Sequence, residues 1–184
     1  MRMNTRKGFT LIEALAVIVV LGVLGSIAAS LVGEYGRQYS ETATLADVHA
    51  ELSTTLDRLV REFRAIPFDS DAGQVAADIR LGAATQLRWG DANHVRLNGS
   101  NLEYSSDLTN YAVLLSDVSA FTLQYYDESD TSLLSGPSDT LTEGAADTMS
   151  VRRISISLTV TRNGVSDTLS AKVFLRSTMA GAGS

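Results

Sequence analysis

The chain predicts an α+β fold: a long N-terminal helix, first membrane-spanning and then amphipathic, packed on an antiparallel β-sheet head. Three observations carry this expectation. The run from Phe9 to Val32 is apolar and holds one charged side chain, Glu13. Apolar residues then recur at helical spacing from Leu45 to Ile66. Further on the period of the pattern changes to two, and asparagine–glycine pairs separate the alternating segments.

The first element follows from length and composition. Phe9 to Val32 extends about 36 Å as a helix at about 1.5 Å per residue, enough to cross a bilayer. Gly22 and Gly25 fall on nearly one face. They suit close approach of a neighbouring helix, and equally the ordinary tolerance of membrane helices for glycine. No proline interrupts the chain between Phe9 and Pro67. Glu13 is the anomaly. A carboxylate in a membrane span costs about 2.5–3.5 kcal/mol at the helix centre, which makes it a candidate functional group in need of a partner. No Lys or Arg lies within helical reach on its apolar side. The nearest available cation is the amine that cleavage before Phe9 would create.

Residues 33–66 are expected to continue the helix in water. Leu45, Val48, Leu52, Leu56, Leu59, Phe63 and Ile66 are spaced 3, 4, 4, 3, 4 and 3 apart, one apolar stripe. Asp57–Arg61 and Arg58–Glu62 are i,i+4 pairs of opposite charge, worth a few tenths of a kcal/mol each. Pro67 disfavours helix at Ile66 and ends the element. A coiled coil would give the same spacing. The stripe is shorter than four heptads and a β-rich segment follows, so packing on that segment is the expectation.

Residues 67–184 should form the head. Phe68–Ala84 is weakly patterned, with a short helix near Val75–Ile79 as one option. Strands follow at Gln86–Trp89 and Val95–Leu97, and Asn98-Gly99 turns the chain into Leu102–Tyr104. Val113–Leu115 precedes a longer strand, Phe121–Tyr126. Asp127–Thr148 is polar, contains Gly136-Pro137 and reads as a long loop. Ile154, Ile156, Leu158 and Val160 alternate with polar residues, Asn163-Gly164 gives a type I′ turn, and Leu169, Ala171, Val173 and Leu175 alternate back. Ser177–Ser184 reads as a frayed tail.

Composition limits the function classes. Of 15 basic residues, Arg2, Arg6 and Lys7 precede the apolar run, leaving 12 basic against 21 acidic beyond it. That balance argues against a nucleic-acid surface, which would be basic. The absence of cysteine removes thiol catalysis and thiolate metal sites. His49 and His94 read as solvated or hydrogen-bonded residues, and no catalytic constellation or phosphate-cradling loop is present, so neither enzymatic activity nor a cofactor is expected. Asp127, Glu128 and Asp130, with Asp139, Glu143 and Asp147, offer oxygen ligands for calcium without EF-hand spacing; a plainly solvated loop is the alternative. Arg152-Arg153 suits either a partner's carboxylates or closure of a sheet edge beside that loop. Trp89, Tyr104, Tyr125 and Tyr126 suit either an adhesive face or sheet packing. Basic residues ahead of an apolar span stay cytoplasmic, which puts the rest of the chain in the periplasm.

Lys7-Gly8-Phe9-Thr10-Leu11-Ile12-Glu13 resembles the processing site of type IV prepilins and type II secretion pseudopilins. Basic leader, glycine, phenylalanine, glutamate and apolar run occur together and in order, and the detailed similarity covers roughly the first 60 residues. By this resemblance, residues 1–8 are a leader, a prepilin peptidase cuts between Gly8 and Phe9 and methylates the amine of Phe9, and Glu13 pairs with that amine on a neighbouring subunit. The implied partners are other pilin or pseudopilin subunits, the peptidase, an inner-membrane assembly platform and membrane lipid. The implied location is the inner membrane, single-pass, and then a pilus or pseudopilus. Phe121–Asp127 and Val151–Val160 look like segments of J-type minor pseudopilins and of W-type and mannose-sensitive-haemagglutinin minor pilins, which implies a minor subunit that helps to initiate a filament. The chain departs from many pilins in lacking a C-terminal disulfide and a proline within the helix. A secretory signal peptide has a shorter apolar stretch, and an ordinary anchor needs neither Glu13 nor the Gly8-Phe9 junction. The contrasting function is a periplasmic binding protein or enzyme tethered by its N-terminus. If the prepilin resemblance holds, replacing Gly8 by a bulky residue leaves the leader in place, and mass spectrometry of the membrane-bound protein shows an intact N-terminus; mature-sized protein from that variant contradicts the assignment.

Overall fold

A computed structural model describes residues 10–67, 69 and 76–176. Gly8 and Phe9 lie outside the described residues, as do Val75, the first residue of the short helix considered near residues 75–79, and the tail 177–184. The chain forms two compact units, Met1–Ala43 and Thr44–Ser184. The first helix, α1, covers Leu11–Arg64.

In the second unit the apolar stripe of α1 is the inner wall of the core. Val48, Leu52, Leu56, Leu59, Phe63 and Ile66 are buried. Leu45, expected in the stripe, is 43% exposed; it lies one turn before the burial starts. The helix stops at Arg64, and Ala65 still donates to the carbonyl of Arg61. The anticipated pairs Asp57–Arg61 and Arg58–Glu62 do not close among the described residues. Arg58 instead lies over the ring of Tyr104, 5.3 Å from its centroid. An exposed ion pair contributes too little to compete with stacking on an available aromatic face.

Among the described residues nine strands follow in two sheets, where the sequence suggested one. Strands β1 (Ile79–Ala83), β2 (Gln86–Trp89), β3 (Asn93–Asn98), β4 (Asn101–Ser105) and β5 (Ala112–Leu115) form an antiparallel meander. β6 (Val118–Tyr126) leaves it for the second sheet, and β7 (Thr140–Thr142) returns to pair with β1. A short helix α2 (Ala146–Ser150) leads to β8 (Arg153–Arg162) and β9 (Val165–Phe174). The strand orders are β5-β4-β3-β2-β1-β7 and β6-β8-β9.

The differences from expectation have local causes. The first hairpin pairs Asn98 with Asn101, so its loop is Gly99-Ser100, one residue later than Asn98-Gly99 suggested. Gly99 has φ +61°, the glycine-first pattern of a type II′ turn. The second hairpin is the expected type I′: Asn163 and Gly164 have φ of 54° and 80°, with Arg162 opposite Val165. Residues 76–79 hold no helix, and β1 begins at Ile79. The polar stretch Asp127–Thr148 is not one loop, because Leu141 is buried and fixes β7 on the edge of the first sheet. A single apolar residue among polar neighbours is too sparse a pattern to announce a strand.

Tyr125 locks the two sheets together. Its fully buried hydroxyl, on β6, donates to the carbonyls of Ala83 and Gln86 at 3.0 and 3.2 Å, across the β1–β2 turn. Burial pushes this phenol far above its ordinary range. The amide of Leu123 donates to Ala84 and that of Val118 to Ser100, so β6 also closes onto two turns of the first sheet. The Tyr125 ring occupies the space a side chain at Gly82 would need: a Cβ there would lie 3.2 Å from the ring. Charge contacts bind the helix to the last hairpin. Arg162 meets Glu51 in bidentate fashion and Asp117 at 2.9 Å, and His49 Nδ1 lies 2.8 Å from Asp167.

His94 sits inside a hydrogen-bonded cluster on the first sheet. Nδ1 is 2.8 Å from the Tyr111 hydroxyl and Nε2 is 3.3 Å from Gln86 Oε1. Gln86 Oε1 can only accept, so Nε2 carries the proton and Nδ1 accepts from Tyr111 in the neutral ring. Burial, followed by the nearby Arg96 and Arg88, lowers the pKa of His94 below 6.5.

Two predictions follow from these contacts. Gly82→Val crowds the Tyr125 ring and is expected to cost about 1–3 kcal/mol, read as a lower denaturant midpoint at unchanged slope. For His94, the unfolded chain takes up a proton as the pH falls through about 6.5 while the native ring does not, so stability decreases with acidification in the window just below 6.5. His94→Gln should flatten the change in melting temperature between about pH 7 and pH 5; an unchanged slope rules His94 out as the source.

A candidate assembly site on the N-terminal helix

Every residue from Thr10 to Ala43 is exposed. For Leu11, at 88%, and Ile12, at 79%, exposure means bare hydrocarbon. An isolated chain in water could not sustain a patch of this extent, so its surroundings must be lipid or other chains. The apolar part, Leu11–Val32, is long and apolar enough to cross a membrane and reaches about 33 Å as a helix. Its few hydroxyls suit that solvent. Ser26 and Ser30 donate to the carbonyls of Val23 and Ile27, each at 2.8 Å, and present no unpaired donor.

Thr10 starts the helix. Its Oγ1 accepts from the amide of Glu13 at 3.3 Å, and its carbonyl accepts from the amides of Glu13 and Ala14 at 3.1 Å. Thr10-Leu11-Ile12-Glu13 has the Ser/Thr-x-x-Glu spacing of a capping box. Sequence reasoning noticed Glu13 for its charge and passed over Thr10, although the spacing itself was the signal. The cap puts Glu13 in the first turn, where helix amides favour a negative group. Its carboxylate has no ion-pair partner among the described residues. The processing position, Gly8 and Phe9, lies outside them. Gly22 and Gly25 face open space: a Cβ at either would meet nothing within 4 Å.

The other candidates from the sequence have structural employment. His49 and His94 are bonded as described. Asp127 accepts from the amides of Ser129 and Thr131 and from the Ser129 hydroxyl, and these bonds hold its carboxyl below the usual carboxylate range. Asp130 meets Arg153 at 2.5 Å, and Glu143 pairs with Arg80. Among the described residues no three acidic, histidine or cysteine side chains gather as a metal site, so Asp127, Glu128 and Asp130 do not converge as ligands. Arg153, at the start of the central strand β8 rather than on a sheet edge, stacks 4.3 Å from the Tyr126 ring centroid. Arg152 donates to the carbonyls of Met149 and Val151. Trp89 and Tyr125 are core residues, which removes them from any adhesive face; Trp89 meets Phe63 edge-on at 5.4 Å.

Comparison with known proteins bears on the same end of the chain. The family model described as the prokaryotic N-terminal methylation motif matches residues 3–29. A fimbrial protein of Moraxella nonliquefaciens is 37% identical over 90 residues, covering 46% of this chain and 56% of the relative. The chain thus spans little more than half the length of that relative. This methylation motif and this relative support a likeness to type IV pilins, and the long apolar N-terminal helix that packs its second half on antiparallel sheets is consistent with a pilin fold.

Proposed function

We propose that this chain is a structural filament subunit, cleaved between Gly8 and Phe9, methylated on Phe9, stored in the inner membrane with its head in the periplasm, and then packed into a pilus or pseudopilus. The observation that carries this reading is Glu13: one capped carboxylate at the start of an otherwise bare apolar helix, with no cation of its own among the described residues. In lipid such a group needs an opposite charge. The amine of Phe9 on a neighbouring subunit supplies it, and pairing the two gives assembly both drive and register. A prepilin peptidase and an inner-membrane assembly platform are the partners this route requires. Gly22 and Gly25, open on the helix surface, are proposed as a close-packing face for the next helix.

The likeness of Phe121–Asp127 and Val151–Val160 to minor subunits of the J, W and mannose-sensitive-haemagglutinin types supports a minor position and a part in starting the filament. Neighbouring genes for secretion or for pilus assembly distinguish a pseudopilus from a surface pilus.

Glu13→Gln tests the assembly contact. It removes a charge from lipid, so the membrane level should be unchanged or higher, and cleavage should persist. Recovery with sheared filaments should drop by on the order of tenfold or more, since the neighbour's amine is left unpaired in hydrocarbon. Wild-type recovery at equal membrane level removes Glu13 as an assembly contact.

A further inference from the structure

The head holds a group of guanidinium ions that its own fold does not neutralise. Arg61 and Arg64, in the last turn of α1, and Arg176, just beyond β9, line an open concavity of about 480 Å³ together with Asp57, Val60 and Ala65. None of the three arginines makes an ion pair among the described residues. Four other arginines of the head are matched by carboxylates: Arg80 with Asp78 and Glu143, Arg96 with Glu103, Arg153 with Asp130, Arg162 with Glu51 and Asp117; Arg58 lies on the Tyr104 ring and Arg152 donates to backbone carbonyls. The helix C-terminus favours cations at Arg61 and Arg64. It does not account for Arg176, which arrives from a different element to the same concavity. The result is three cations against one carboxylate, in a chain that carries 12 basic and 21 acidic residues beyond its leader.

We propose that this concavity receives the acidic turn Asp127–Asp130 of a second copy of the chain. The proposal rests on the filament-subunit reading. The turn carries three carboxylates in four residues, and Glu128 at its tip is exposed and makes no ion pair among the described residues. The hydrogen bonds from Ser129 and Thr131 to Asp127 fix the turn's shape. Arginine forks and carboxylates form directional, paired hydrogen bonds. A contact between two different surfaces of one chain is heterologous: it does not close on itself and propagates as a helical array. It also offsets the repulsion between acidic heads at close spacing.

The test uses two differently tagged copies of the full-length chain, co-expressed and solubilised from membranes, with recovery of one copy on the other as the readout. Arg61→Glu with Arg64→Glu should lower recovery by on the order of tenfold, and Glu128→Arg should lower it as well. All three substitutions in one chain should restore it, and added salt should weaken the wild-type contact. Arg61→Gln with Arg64→Gln guards against misfolding, since it should lower recovery without shifting the melting temperature. The proposal is overturned if the triple variant is not restored, or if Glu128→Arg is neutral while the arginine variants lose recovery, which would mean an acidic segment of a different subunit. Recovery insensitive to every substitution also overturns it. None of these outcomes touches the processed N-terminus or the Glu13→Gln defect, which report separately on the filament reading.

Discussion

The head is organised around one face of one helix. Val48, Leu52, Leu59 and Phe63 are at most 1% exposed, and they belong to a cluster that takes residues from both sheets: Leu87, Trp89, Val95 and Leu102 from the first, Phe121, Leu123, Ile154, Ile156, Leu158 and Val160 from the second. Each fully buried side chain of this size contributes about 1.5–3 kcal/mol relative to exposure in water. Both sheets contribute side chains to the cover over the stripe. Their junction then becomes the problem that Tyr125, Gly82 and the turn carbonyls at Ala83, Ala84 and Ser100 solve. This is done without cysteine, by burial and hydrogen bonds alone.

Where apolar residues recur strictly, the sequence is a reliable guide. The period of the stripe in α1, the alternation of β8 and the asparagine–glycine turn at residues 163–164 each translate directly into structure, because each is a local rule with one physical solution. What could not be read is what depends on partners distant in sequence. β7 exists because Leu141 finds a place beside Gly82. Arg58 leaves Glu62 for Tyr104, 46 residues further on. The division into two sheets is likewise a tertiary fact, since a strand's alternation states which side is buried and not which neighbour it pairs with. The N-terminal stretch of α1 shows the converse. Its apolar length and its single charge were plain in the sequence, and the structure adds the threonine cap that fixes where that charge sits.

The helix is also a single element written for two solvents. From Leu11 to Val32 it is apolar on all sides and returns its hydroxyl protons to its own carbonyls. From Val48 onward it is apolar on one side only, with arginines and carboxylates on the other. Charge follows the same division. One carboxylate, Glu13, stands in the apolar stretch, while the head holds matched pairs and a cationic concavity. The apolar surface and the charged surface are thus carried by separate stretches of one chain.

The position of β8 within its sheet governs the order in which the protein can be made. β8 is the central strand of the second sheet, and its Ile154, Ile156, Leu158 and Val160 are wholly buried. It follows the helix stripe by roughly a hundred residues, a separation whose closure slows folding. As the chain emerges from the ribosome N-terminus first, Val48–Phe63 appears long before the strand that seals it. The meander β1–β5 can form early from neighbouring segments, yet it covers one flank alone. Until β8 and β9 are delivered, the nascent head carries an open apolar seam. Its burden of misassembly falls in that interval, which makes the speed with which the last hairpin is added, as much as the final stability, a condition for a correctly folded head.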